Sequence, residues 1–382
     1  MEYKIPFNKP FMTGNEVGYI QDAVKTGKIS GNGKYTKLCQ SYFEQRYGFK
    51  KCLLTTSCTD ALEMVSLLLD LKPGDEVIVP SYTFVSTANP FILRGAKIVF
   101  ADSMEMHPNI DAEKIENLIT PNTKVIVVVH YAGIACDMDK VMAIAKKYDL
   151  FVVEDAAQAI NSFYTGGDGI KKPLGSIGEL AAFSFHETKN IISGEGGMIV
   201  INDVQFISRA EIIWEKGTNR SAFFKGEIDK YGWVDIGSSF LPSEIVAAFL
   251  YAQLEQLDDI QAKRISIWNL YKDQLLELED RDLVTLPKLP FYATNNAHIF
   301  SLLFKSKVER DCCIAHLKEE GILAVFHYLS LHKSPYFIDK HDGRELFQSD
   351  AFSENLLRLP LYYELSHSDV IKICQAIKSI FR

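Results

Sequence analysis

Between about residue 50 and residue 210 the chain repeats one pattern. A short apolar run with hardly a polar break is followed by a polar turn and then by residues of helical spacing. Such runs stand at residues 51–56, 76–80, 97–100, 124–129, 150–153, 180–185 and 197–201. A strand with one wet face alternates apolar and polar side chains, whereas a strand buried on both faces reads as a continuous apolar run. The pattern predicts an α/β fold: a large, mostly parallel seven-stranded sheet sandwiched by helices. Ligands of such sheets bind beyond the carboxyl ends of the strands, so the residues just after each run carry the functional information.

The pattern changes near Pro242. One long helical stretch is expected over 243–278, and the remainder mixes shorter elements, with 296–300 and 322–326 strand-like. A chain of 382 residues exceeds one ordinary core. We read residues 1–245 as a large ligand-binding domain with an N-terminal segment, and 246–382 as a smaller α+β domain packed directly on it.

The formal net charge of −8 argues against a nucleic-acid partner, which needs a basic face. No stretch approaches the roughly 20 apolar residues of a membrane span. The first residues lack the apolar centre of a signal peptide, so a cytoplasmic address is expected. Seven cysteines without a Cys-x-x-Cys pair read as free thiols, with neither disulfides nor a metal site.

The strand ends form a constellation. Asp155 closes the fifth run and is either a helix cap or a buried carboxylate facing a cationic ring nitrogen. Gln158 lies one helical turn on. Lys189 follows the sixth run, ahead of the turn-forming Ser193-Gly194-Glu195-Gly196-Gly197. A lysine partly desolvated there loses its proton more readily and becomes a usable amine. Ser57, Cys58 and Thr59 lie between the first run and a helix, where unpaired N–H groups and a positive dipole end make an anion seat. Asp60 beside that seat must point away. Phe84, after the second run, is either a core aromatic or a stacking face for a flat ring.

These segments, with Gly74-Asp75-Glu76-Val77-Ile78, Val129-His130-Tyr131-Ala132-Gly133 and Phe183-Ser184-Phe185-His186-Glu187-Thr188-Lys189, resemble the sugar aminotransferases of the DegT/DnrJ/StrS family over essentially the whole chain. The resemblance implies an aspartate-aminotransferase-type fold and pyridoxal 5′-phosphate, alternating with pyridoxamine 5′-phosphate. It implies that Lys189 carries the cofactor, that Asp155 meets its ring nitrogen and Gln158 its phenolic oxygen. Phe84 would stack, and Ser184 would join Cys58 and Thr59 at the phosphate. Family members form homodimers with shared active sites, and an Asn from a Gly-x-Asn-Tyr-Arg-like segment reaches the neighbour's phosphate. Here Ser239 stands for that Asn and Leu241 for the Arg.

Within the family the chain is most similar to enzymes that make dTDP-4-amino-4,6-dideoxygalactose for enterobacterial common antigen and O-antigen. That likeness rests on 216–221, 235–239, 325–328 and 359–362. It implies L-glutamate as donor and a dTDP-linked 4-keto sugar as acceptor. Candidate substrate contacts are His186, Lys216, Asn219, Arg220, His327 and Tyr328. The gluco epimer or a 3-keto acceptor would be the competing chemistry. A dehydratase of this family carries His where Lys189 stands, and a nicotinamide enzyme would want Gly-x-Gly-x-x-Gly after an early strand; neither is present. A ligand sensor on the same fold would want an added signalling domain, and nothing marks one.

Overall fold

The computed structural model describes residues 3–381. Each predicted run forms a strand of one seven-stranded sheet. In chain order they are Lys51–Thr55 (β1), Glu76–Pro80 (β2), Lys97–Ala101 (β3), Thr123–Val129 (β4) and Phe151–Asp155 (β5). A hairpin that the periodicity did not signal, Phe163–Thr165 (β6) with Lys171–Pro173 (β7), stands apart as its own two-stranded sheet. Leu180–Ser184 (β8) and Gly197–Ile201 (β9) complete the large one, in the order β1-β9-β8-β5-β4-β2-β3. Only β9 runs against its neighbours. The other six strands therefore end along one edge, and β9 begins there.

The continuous apolar runs have a simple cause: alternate residues serve two cores. Ile78, Val128, Val152 and Met198 face one hydrophobic cluster. Val77, Val127, Val153 and Ile199 face the other. Helices Glu16–Lys25 (α1) and Lys34–Tyr47 (α2) lie on the first face, and Cys58–Leu68 (α3) on the second.

The long stretch expected over 243–278 is two helices, Glu244–Glu255 (α4) and Leu257–Asp280 (α5), broken at Gln256 (φ −106°, ψ 11°). Ser243 caps the first by accepting from the Val246 amide. α4 packs on α1 and α2, and α5 on the final helix, His367–Ser379 (α6). The smaller core gathers α5, α6, Ile5 and a three-stranded antiparallel sheet of Val284–Thr285 (β10), Ser301–Phe304 (β11) and Leu356–Arg358 (β12).

The runs at 296–300 and 322–326 are not strands. Side chains, not a ladder, satisfy the first: Arg264 donates to the Ala297 and His298 carbonyls, and Trp268 to that of Ile299. Ala297 is itself left-handed at φ 51°. The second run touches other segments through single bridges, Ile322 to Ile5 and Val325 to Arg358.

Neighbouring acids at the end of β5 face opposite sides of the sheet, as strand geometry requires. Glu154 is fully buried and accepts from His130 Nε2 at 2.9 Å and from the amides of Gly175, Ile177 and Gly178 at 2.7–2.8 Å. Burial pushes its carboxyl up, but the bonds from His130, Gly178 and Gly175 outweigh this and hold it below the usual carboxylate range. Glu154→Gln puts an NH2 group among these donors and is expected to cost about 3 kcal/mol of unfolding free energy. A depressed folded-state value makes the carboxylate's contribution fully present above the unfolded value of about 4.3 and lost as pH falls through the folded one. Denaturant titrations of wild type and variant should therefore differ most above about pH 5 and converge in acid.

Candidate active site

The strand ends that share one edge surround a cavity of about 580 Å³. Its wall takes Ser57, Cys58 and Thr59 after β1, Thr83, Phe84 and Thr87 after β2, Val129 from β4, Asp155 from β5, and Ser184 and Lys189 from and after β8. The opposite wall comes from the smaller part through His298, His327, Tyr328 and Arg358.

Ser57 is the N-cap of α3, its Oγ accepting from the Asp60 amide at 3.0 Å. The Asp60 carboxylate turns back to accept from the Ser57 and Thr56 hydroxyls. It does not line the cavity, as the anion seat requires. Thr59 Oγ1 donates to Ser86 Oγ at 2.8 Å, placing two hydroxyls beside the free amides of the first helical turn. The approach of β9 to this turn admits no side chain. A Cβ on Gly197 would lie 2.3–2.4 Å from the Ser57 carbonyl and the Cys58 nitrogen. Burial and the nearby Asp155 raise the Cys58 thiol well above its ordinary value, so it is a neutral group and not a nucleophile.

Asp155 is buried. Its Oδ2 accepts from Thr87 at 2.7 Å and its Oδ1 from the Ala157 amide at 3.2 Å. Burial raises its pKa in spite of these bonds. Lys189 is held on a turn by its own amide donating to the His186 carbonyl and by the Glu187 amide donating to that of Gly194. Burial draws its pKa below that of an ordinary lysine, against the opposing pull of Cys58 and Asp155. Among the described residues its amine makes no salt bridge. Gln158 accepts from the Ala132 amide at 2.7 Å and donates to Tyr328 Oη at 2.9 Å, leaving one N–H of its amide uncommitted. The Phe84 ring, 55% exposed, lies 6.2 Å from Tyr328. His327 stacks on Tyr328 at 3.5 Å and shares a 2.7 Å hydrogen bond with Tyr131; burial drives its pKa well down, so it is neutral. Ser184 and His186 also line the cavity.

Four sequence candidates lie outside it: Lys216, Asn219, Arg220 and Ser239. They belong to a surface segment folded on itself by bridges Glu215–Ser239 and Thr218–Trp233. Asn219 accepts from the Gly232 amide, and the Arg220 guanidinium lies over Phe224 and Tyr231. None of the four lines the cavity that Lys189 lines, so within one chain they form no diphosphate site with it.

Thr87, Ser86, His298 and Arg358 are among the cavity residues that escaped the sequence reading. Thr87 lies on the same strand-end segment as Phe84, and the logic that singled out Phe84 extends to it. His298 and Arg358 sit on elements whose approach to the large sheet no local pattern encodes. His298 Nδ1 faces Asn190 Oδ1 at 2.8 Å, while the Asn190 amide nitrogen donates to Gln261 and Asn296. Nδ1 must therefore be the donor, which leaves Nε2 unprotonated in a histidine that burial keeps neutral.

Comparison with known proteins gives the family and the fold. Residues 10–378 match the DegT/DnrJ/EryC1/StrS aminotransferase family. The spore coat polysaccharide biosynthesis protein SpsC of Bacillus subtilis is 32% identical, over 99% of this chain and 97% of its own. A Streptococcus pneumoniae protein described as a sugar aminotransferase, solved in its PMP form, superposes with a TM-score of 0.89 at 26% identity over 99% of both chains. DesV of S. venezuelae, in complex with a ketimine intermediate, superposes with a TM-score of 0.88 at 26% identity, covering 100% of this chain and 99% of that one.

Proposed function

Because the chain belongs to the DegT/DnrJ/EryC1/StrS aminotransferase family, we propose that it transfers an amino group from L-glutamate to the C4 keto carbon of dTDP-4-keto-6-deoxy-D-glucose. The products are 2-oxoglutarate and dTDP-4-amino-4,6-dideoxy-D-galactose. The observation that carries this reading is that Lys189 and Asp155, remote in sequence, face one cavity beside the N-terminus of α3.

The residues present fit pyridoxal 5′-phosphate. An aldehyde wants an amine of reduced basicity, which burial gives Lys189. A protonated ring nitrogen wants an anion, and Asp155 makes no salt bridge among the described residues. A phosphate wants the first amides of α3 with the hydroxyls of Thr59, Ser86 and Ser184. The uncommitted N–H of Gln158 suits a phenolic oxygen, and Phe84 offers a face for stacking. When bound, this cofactor supplies an electron sink at the carbon whose bond to hydrogen is broken.

The chain does the rest. The Asp155 carboxylate keeps the proton on the ring nitrogen. Lys189 Nζ takes a proton from the nitrogen-bearing carbon of the donor and returns one during transfer to the acceptor. We assign the sugar to His186, His327 and Tyr328, which line the cavity. Segment 216–239 carries exposed Phe224, Tyr231, Trp233 and Ile236. We assign it to a homodimer boundary, where Lys216, Asn219, Arg220 and Ser239 reach the neighbour's cavity.

Incubation with dTDP-4-keto-6-deoxyglucose and L-glutamate should yield an amino sugar whose H3–H4 and H4–H5 proton couplings are both small, as for an axial amine. Large couplings would mark the gluco epimer, and an amine at C3 the other regiochemistry; either would refute the assignment of the sugar.

A further inference from the structure

A chain of buried amides behind the Lys189 turn fixes which nitrogen of His298 carries the proton. It starts at the Asn296 backbone carbonyl, a group that can only accept. That oxygen takes hydrogen bonds from Gln261 Nε2 at 3.1 Å and from Asn190 Nδ2 at 2.8 Å. The same Asn190 nitrogen donates to Gln261 Oε1 at 2.8 Å, so both of its N–H bonds are spent. Asn190 Oδ1 is thereby turned to His298 Nδ1, 2.8 Å away, and an amide oxygen accepts only from an N–H. The backbone holds the ring's position as well. The His298 amide donates to Asn296 Oδ1 at 3.1 Å, and its carbonyl accepts from Arg264 at 2.9 Å. Asn296 cannot turn over, because its Nδ2 donates to the carbonyls of Gln158 and Ile160.

The other edge of the ring is open. His298 lines the cavity with Lys189, and its Nε2 has no hydrogen-bond partner among the described residues. Burial keeps the imidazole neutral, and the charges of Lys189, Arg264 and Arg358 act in the same direction. With the proton held on Nδ1, Nε2 presents a bare lone pair that cannot become a donor by exchanging tautomers. Such a group repels a carboxylate or a phosphate and wants a ligand O–H or N–H. The nitrogen of the amino donor ends on the cofactor, and its carboxylates only accept. Hydroxyls come with the sugar. His298 is bonded to the residue next to Lys189, so the hydroxyl it meets is one beside the reacting carbon; the base lies beyond the diphosphate. In a 4-keto-6-deoxy sugar C4 has a single hydroxyl-bearing neighbour, C3. On the other side C5 bears only the methyl group and the ring oxygen.

We infer that His298 reads the acceptor sugar: its Nε2 accepts the hydroxyl on C3 and so sets the orientation of the sugar ring before nitrogen reaches C4. This rests on the reading above, aminotransfer to a 4-keto sugar. His298 then selects sugars that keep a hydroxyl beside the carbonyl and discriminates against those that have lost it. Asn190 and Gln261 act through it as positioning residues, since they decide which ring nitrogen is bare.

The test follows each half-reaction separately in holoenzyme, by the loss of visible cofactor absorbance with L-glutamate alone and its return with the keto-sugar nucleotide. With wild type, the 3-deoxy analogue of dTDP-4-keto-6-deoxyglucose should need a half-saturating concentration on the order of 30-fold above that of the parent sugar. Asparagine puts an N–H where Nδ1 stands, so His298→Asn should keep the bond to Asn190 and give up the cavity acceptor. That variant should treat the two sugars alike, while its glutamate half changes far less. Glutamine reaches the place of Nε2 with a carbonyl oxygen, so His298→Gln should recover part of the discrimination. Independently of turnover, nitrogen NMR of ¹⁵N-histidine holoenzyme, assigned with His298→Asn, should show the neutral Nδ1–H form at about pH 7. Wild type that takes both sugars equally well overturns the inference, as does a ring protonated on Nε2. A His298→Asn defect confined to the glutamate half overturns it too. If His298→Asn does not load cofactor, the wild-type comparison of the two sugars decides. Wild type that responds to glutamate but not to the parent sugar overturns instead the reading of the substrate, before any analogue is compared.

Discussion

Lys189→Ala protein is expected to fold, to lose its visible cofactor absorbance, and to transfer nitrogen at least about 10⁴-fold more slowly than wild type. The size follows from two jobs on one atom: the amine would both hold the cofactor and move the proton. Folding should survive because Nζ makes no salt bridge among the described residues, and the turn is held through backbone atoms. Borohydride followed by peptide mapping should mark Lys189 in wild type and leave the variant unlabelled. Near wild-type turnover by the variant, or a label on another lysine, would refute the assignment.

Asp155→Asn is expected to lower kcat on the order of 10³-fold, the scale seen when a placed electrostatic partner of a reacting group is removed. Asparagine keeps the size and can still accept from Thr87, so the loss isolates the charge. A pH signature separates this from mere misfitting. In the free protein burial sets the Asp155 pKa above that of an ordinary aspartate. A cationic ring favours the ionised form, so cofactor binding must expel the proton wherever Asp155 is still protonated. Wild-type affinity for the cofactor should therefore fall as pH drops through that raised value, and the variant should lack this limb. Equilibrium titrations of the apoprotein at a series of pH values would show it; parallel profiles for the two proteins would remove Asp155 from the role.

The large sheet was legible because both-face burial writes itself into sequence as unbroken apolar runs, and all seven runs became strands. Asp155, Lys189 and the Ser57–Thr59 turn were legible for the same reason, since a strand that stops in polar residues announces a sheet edge. The smaller part was less readable. Residues 296–300 look like a strand, yet Arg264 and Trp268 take over the hydrogen bonds that a neighbour strand would have made. The break at Gln256 carries neither Gly nor Pro and had no local signal. Arg358 was invisible because its place on the cavity wall is a property of the assembled cavity. The surface segment 216–239 shows the converse. Its motif drew attention to Lys216, Asn219 and Arg220, but within one chain Asn219 and Arg220 have local partners and none of the three lines the cavity.

The back-to-back acids of β5 put a limit on how such a chain can drift. Loops on either side can gain or shed residues at little expense, but the strand itself is frozen in length. Deleting one residue ahead of Glu154 would rotate both carboxylates half a turn at once. The acid that fastens the 175–178 loop would swing into the ligand's chamber, and the acid meant for the ligand would be walled up against amides. Foldability and chemistry would fail in the same step, so neither can be tuned there without the other.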